Sequence, residues 1–540
     1  MEQFSISGNI VDLIERKIFP GTIVVRNGKI ASITSSKEIF SHFILPGFID
    51  AHVHVESSML VPTEFARLAV AHGTVATVSD PHEIGNVLGI EGVRYMVHNG
   101  NQVPFHFYFG APSCVPATEF ETAGATITAH EIRALFQECK LKYLSEMMNY
   151  PGVLARDPLV MDKIQVAKDL KLPIDGHAPG LKGEDAARYI SAGISTDHEC
   201  YTLEEALDKI KYGMKIIIRE GSAAKNYEAL HSLIGSYPDL VMFCSDDKHP
   251  NDLVKGHINE LVKRSIKLGY DTMDVLRCAC LNPILHYNLD VGFLQVQQSA
   301  DFIVVDNLQK FNLLKTYIKG ELVAQDAKSL IPSTQNEVLN HFKTSLKKEE
   351  EFVVRRTEGL IPVIQAINGE LITKKLEVHA KVIDGCLMPD LERDILKLAV
   401  VNRYSNAPIA CAFINGFGLK QGALASCIAH DSHNIIAVGV SDAEICKAVN
   451  AIIENRGGIA VVVDGKVDLL PLSVAGIMSP DDGYKVAKDY ARLDKQAKLL
   501  GSTLDAPFMS LSFMALLVIP SLKLSDKGLF DGTNFRFIEE

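Results

Sequence analysis

The stretch "LPGFIDAHVHVESSM", Leu45 to Met59, decides the fold. A Pro-Gly step opens a short strand-like run that ends on His52-Val53-His54. Residues two apart in a strand face the same side, so the spacing predicts two imidazoles pointing together from one strand end.

Similar runs recur downstream. They are "TVATVSD" from Thr74, "FHFYFGAP" from Phe105, "YLSEMMNY" from Tyr143 and "PIDGHAP" from Pro173. Then come "STDHECY" from Ser195, "KIIIREG" from Lys215 and "LVMFCSDD" from Leu240. The stretches between them, such as "MDKIQVAKDLK" and "LEEALDKIKYG", carry helical periodicity with Gly or Pro stops. Counting from Gly47, this makes eight strand–helix units, the number that closes a TIM (β/α)8 barrel of roughly 250 residues. Residues 47–290 are assigned to it. A doubly wound open sheet is the competing topology, but no GxGxxG follows the first strand.

The flanks read differently. "GTIVVRNGKIASI" (Gly21–Ile33) breaks at Asn27-Gly28, a hairpin signal. A second β-like segment is "ADFIVVDNLQKFNLLKTYIKGELVA" (Ala300–Ala324). Neither has enough strands alone, so residues 1–46 and 291–335 are expected to pair into one small composite β domain. The charge run "KTSLKKEEE" (Lys343–Glu351) reads as a solvated helix or linker, and residues 345–540 as an additional C-terminal α/β domain.

Composition narrows the function. The 540 residues are 47% hydrophobic and 22% charged, close to a soluble globular average. A formal net charge of −12 argues against binding nucleic-acid backbones, though not against a nucleobase ligand. The ten cysteines are scattered without a CxxC, which excludes a zinc ribbon and a thioredoxin-type pair and suggests reduced thiols in the cytoplasm. No apolar run is long enough to cross a bilayer, and the first residues lack a signal pattern, so a soluble, unexported protein is expected.

Barrel chemistry sits at the C-terminal ends of the strands. The first strand offers His52 and His54, the fourth Glu146, the fifth His177, the sixth His198 and the eighth Asp246-Asp247. Such a set of nitrogen and oxygen donors suits two divalent cations. His42, His72, His98 and His106 lack this context and are read as ordinary surface or hydrogen-bonded histidines. "DPHE" (Asp80–Glu83) ends the second strand. An N-cap at Asp80 with Pro81 at the first helical position explains two of its residues and leaves His82 and Glu83 as candidate substrate contacts. "HDSHN" (His430–Asn434) could bind a further metal, reach the barrel mouth or make a polar turn. His54-Val55-Glu56 fits the H-x-E of the cytidine-type zinc deaminases, but their P-C-x-x-C partner is absent.

With these residues in view, "LPGFIDAHVHVESSM" resembles the amidohydrolase superfamily. "VSDPHEIGNVLG", "SEMMNYPGVL", "DGHAPGLKG", "STDHEC", "IREGSAAKN", "FCSDDKHPNDL" and "IAHDSHNII" narrow the resemblance to its adenine deaminases, over nearly the whole chain. The resemblance implies hydrolytic deamination of adenine to hypoxanthine and ammonia by metal-activated water. It implies two divalent metals, manganese or iron, with zinc also compatible. His52, His54 and Asp246 would hold one and His177 and His198 the other, with Glu146 bridging where many superfamily members carry a carboxylated lysine. Lys142, four residues earlier, is the alternative bridge. Asp246 would shuttle the proton. Glu146 and His198 would share the catalytic work, with His198 and Glu220 as candidate ring contacts. Glu56, Arg219, Ser222 and Asp247 lie on matching blocks as further candidates. A homodimer is the default assembly. A different amidohydrolase is the competing enzyme. A non-catalytic assembly protein fits poorly, because all six ligand positions are filled.

Overall fold

The computed structural model describes residues 3–355 and 359–538. Eight short strands form a parallel barrel: β1 (Phe48–Val53), β2 (Thr74–Ser79), β3 (His106–Phe109), β4 (Leu144–Met147), β5 (Ile174–Gly176), β6 (Thr196–Asp197), β7 (Lys215–Arg219) and β8 (Val241–Cys244). The arcs β1–β2–β3, β4–β5 and β6–β7–β8 are parallel ladders. Ala111 bridges the first arc to Leu144, and the Ser195 N–H donates to the Ile174 carbonyl at 2.9 Å to join the second to the third. The ring closes where the Asp246 N–H donates to the His52 carbonyl at 3.0 Å. Each strand coincides with one of the eight apolar runs. β1, β2, β4 and β8 are buried along their whole length, which is why they read as apolar runs rather than alternating strands.

Helices cover the outside. The one over Leu203–Lys211 starts on Thr202, whose hydroxyl accepts the Glu205 N–H, and ends on lysines that suit its C-terminal dipole. The helix over Pro158–Asp169 begins with Asp157 capping and proline at its first position.

Strands Gln3–Asp12, Lys17–Arg26, Lys29–Ser35 and Phe43–Pro46 share one eight-stranded sheet with four strands from Phe302 to Ser329. The join is antiparallel, with Ile44 opposite Val304. The hairpin at Asn27-Gly28 has positive φ at both residues, 53° and 74°, as a two-residue turn of the favoured hand requires.

The C-terminal region builds a second eight-stranded sheet, from Leu360–Ala366 to Lys466–Pro471. One face (Ala399, Ala425, Ala437, Val462) packs on the helix Asp442–Asn455. The other (Leu398, Val400, Leu424, Val438) joins the helices Gly483–Leu499 and Pro507–Phe513 in a core continuous with the barrel. The C-terminal sheet is thereby fixed against the barrel. No helix among the described residues is long and apolar enough to cross a membrane.

Candidate active site

The strand ends deliver their polar residues to one point. His52 and His54 turn their Nε2 atoms toward each other at 3.2 Å, as their spacing on β1 predicts. Asp246 Oδ1 lies 3.7 Å from His52 Nε2 and 3.3 Å from His54 Nε2. Asp246 sits just past β8 with φ at 51°, a left-handed backbone that aspartate tolerates and that turns its carboxylate into the barrel. Next to this group lies a second. His177 Nδ1 is 2.7 Å and His198 Nε2 3.2 Å from Glu146 Oε2. The other oxygen of Glu146, Oε1, faces His54 at 3.3 Å. Glu146 therefore stands between two donor groups with one oxygen toward each.

These side chains are buried, Glu146 at 3% exposure and His52 at 0%. Burial pushes a carboxyl up, but the His177 imidazole beside Glu146 holds it well below the usual range. Asp246 is likewise held down, against burial, by the Arg219 guanidinium. Burial and the neighbouring His198 hold His52 well below an ordinary histidine. His198 is pushed the other way, to about 9, where Glu146 outweighs the effect of burial. Among the described residues, His52 Nδ1, His177 Nε2 and His198 Nδ1 are buried without a hydrogen-bond partner. Facing imidazole nitrogens, convergent carboxylate oxygens and donor atoms within 4.8 Å of one another fit divalent cations with nitrogen and oxygen ligands.

A surrounding layer steadies this centre. Arg219 donates from Nη1 to Asp246 Oδ2 at 2.6 Å and also pairs with Glu199. Asp80 accepts from the Ser145 hydroxyl at 2.7 Å and lies 3.0 Å from His82 Nδ1. His82 in turn is 3.5 Å from Glu146 Oε1. Glu83 does not face the centre directly. Its oxygens accept from His430 Nδ1 and His433 Nε2, both on the C-terminal sheet's loop. "HDSHN" therefore reaches the barrel mouth. Asp247 accepts from the Ser57 hydroxyl and lines the same pocket. Glu56 lies behind, accepting the Ile84 N–H at 3.2 Å, with its carboxyl pushed up to about 7 by burial.

Four expectations are corrected. Glu220 points away from the centre to Arg264, 3.3 Å off. Ser222 donates to Asp252 at 2.7 Å and accepts the His249 N–H, a local turn contact. Both follow β7, where the chain has already turned outward past Arg219. Lys142 precedes β4 and pairs with Asp290 at 3.1 Å. Even spacing puts it on Glu146's side of the strand but at the opposite end of the barrel. The helix after β2 starts at His82 with Pro81 as its N-cap, so Asp80 sits one residue earlier than a cap. Its carboxylate still accepts the His82 N–H at 3.1 Å. His42 and His106 have the plain roles expected, on the Ser7 carbonyl and on Asp301.

Sequence reasoning missed Glu199 and the apolar cover. Glu199 directly follows His198 and lies 3.5 Å from the Nε2 of that histidine and 3.5 Å from His177 Nδ1. Its adjacency to a strand-end histidine was the available signal. Leu371, Phe513 and Leu516 come from the C-terminal region and close the pocket with Met148. Nothing local marks them.

Residues 43–323 match the model of the amidohydrolase family, and residues 370–536 match that of the adenine deaminase C-terminal domain. The chain is 56% identical over 532 residues to an adenine deaminase of Sulfurovum sp. (strain NBC37-1), covering 98% of each. It is 52% identical to the adenine deaminase of Salinibacter ruber over 99% of this chain and 98% of that one. Against the adenine deaminase of Borreliella burgdorferi the identity is 47% over the full length of both. With about half of its residues identical to these relatives over nearly the full length, and with both family models matched, the chain belongs to the adenine deaminase family of amidohydrolases.

Proposed function

We propose that this site hydrolyses adenine to hypoxanthine and ammonia with two divalent cations, manganese or iron, held by His52, His54, Glu146, His177, His198 and Asp246. The observation that carries the reading is Glu146, whose two oxygens face separate groups of donors in a buried site. A lone buried carboxylate is costly, and a pair of cations offsets that cost. When bound, the cations supply an activated water at neutral pH and polarise the bond under attack.

The chain's own residues do the rest. Asp246 is kept ionised by Arg219, so its carboxylate can take the proton of the attacking water and pass it to the leaving amino group. Glu199 holds the guanidinium from its other side and keeps it aimed. His198, stacked on His52 with ring centres 4.0 Å apart, has little freedom to rotate and presents Nε2 to the centre. Leu371, Phe513, Leu516 and Met148 exclude bulk water, which strengthens every charge interaction beneath them.

The open space at the centre is about 30 Å³, little more than one water occupies. A cleft of about 490 Å³ adjoins it and shares Glu199, Arg219 and Leu371. Adenine approaches the centre through that cleft.

Ammonia release at saturating metal tests the reading on adenine beside hydantoins and other aminopurines. Adenine is expected to turn over best. No ammonia from adenine, with turnover of another compound, would show a different amidohydrolase activity.

A further inference from the structure

We infer that Asp431, carried by the C-terminal loop, is a specificity-determining residue that accepts the imidazole-ring N–H of the free purine base. The inference rests on the adenine reading above.

Asp431 lines the pocket at 2% exposure. Its Oδ1 is 3.5 Å from His82 Nε2, and its Oδ2 is buried with no hydrogen-bond partner among the described residues. An unpartnered buried carboxylate oxygen is expensive unless a ligand supplies a donor. The neighbours do not take up that role. Glu83 is engaged by His430 and His433, and the His430 Nδ1 near Asp431, at 3.9 Å, is among those contacts. The Glu121 carboxyl, pushed well up by burial and by the Asp431 charge, makes no hydrogen bond to that oxygen.

The loop is fixed rather than loosely draped. His430 and His433 both donate to Glu83 on the barrel. Asn434 donates to the Thr122 carbonyl at 2.9 Å and accepts the Arg403 N–H at 3.0 Å. Four contacts on the flanking residues hold Asp431 in place. The span also suits the ligand. His82 touches Glu146 with one ring nitrogen and Asp431 with the other, at 3.5 Å each. Asp431 thus lies within two such contacts and one ring of the centre, near enough for a fused bicyclic base to touch both. The proposed pose puts the amino-bearing carbon at the centre and the imidazole-ring edge toward Asp431. A nucleoside has no N–H there and carries a sugar instead, so the same carboxylate that favours the free base rejects the nucleoside. The competing occupant is a third cation shared by His82, Glu83 and Asp431, whose donor atoms also lie within 4.8 Å of one another.

The test compares kcat/KM for ammonia release from adenine with that from its thiazolopyrimidine isostere, in which sulfur replaces the ring N–H and the other nitrogens are kept. The metal-loaded protein is expected to prefer adenine by about 10- to 100-fold, the range for a hydrogen bond to a charged group in a dry site. In Asp431→Leu the preference should fall to within about threefold, with metal content unchanged. If the wild type treats the two compounds alike, the assignment is wrong, and this arm needs no variant. If Asp431→Leu keeps the wild-type preference, or loses one equivalent of metal, it is also wrong. Absence of any ammonia from adenine in the wild type would instead remove the adenine reading and this inference with it.

Discussion

Replacing Arg219 by methionine separates charge from packing at the centre. The side chain is 7% exposed and lies between the carboxylates of Glu199 and Asp246, with 2.6 Å to the latter. Methionine fills much of the volume but leaves two buried carboxylates facing each other. Breaking a buried pair in this way costs about 3–5 kcal/mol. If all of it fell on the transition state, the rate would drop about a hundred- to a few-thousandfold, which is the ceiling on the expected loss. The pH profile should move as well. Asp246 is held well below an ordinary aspartate by Arg219, against the opposing effect of burial. Its proton-accepting form therefore persists far into acid in the wild type. Without the guanidinium its pKa rises, so the acid limb of kcat shifts to higher pH. Ammonia release measured from acid to neutral pH on metal-loaded protein reads both effects. A variant within twofold of the wild-type rate, with an unmoved acid limb, would refute the role given to Arg219.

Three further outcomes are expected. Burial raises the Asp175 carboxyl from 3.8 to about 7, so the folded state holds a proton there that the unfolded chain releases. Stability from this group therefore falls as pH rises between those values, and Asp175→Asn should flatten that fall; urea unfolding at several pH values that gave the same dependence in both proteins would contradict it. Glu220→Gln and Ser222→Ala should leave KM for adenine within about twofold, because both residues face away from the centre; a tenfold rise in steady-state kinetics would return them to the site. Lys142→Met should keep full metal content by elemental analysis, since Lys142 pairs with Asp290; loss of a metal would reinstate it as the bridge.

The barrel was legible because most of its strands are short and largely buried runs rich in apolar residues, and because its histidine and carboxylate donors stand at one end of them. The donor set followed from reading what stands at each end, and His52, His54, Glu146, His177, His198 and Asp246 all arrive together. Local patterns misled where the chain turns. Glu220 and Ser222 continue the polar run after β7, yet only Arg219 still faces inward. Spacing along a strand fixes the side a residue faces but not its height in the barrel, so Lys142 shares Glu146's side yet stands at the other end. The contributions of Phe513, Leu371 and the His430–His433 loop depend on contacts across hundreds of residues, such as Glu83 to His433. No local periodicity encodes those.

The most direct test of two cations bridged by Glu146 is metal content and ammonia release measured together for the wild type and Glu146→Gln. The account predicts two equivalents and deamination of adenine in the wild type, with one equivalent and most of the activity lost in the variant. A variant with full metal content and the wild-type rate would contradict it.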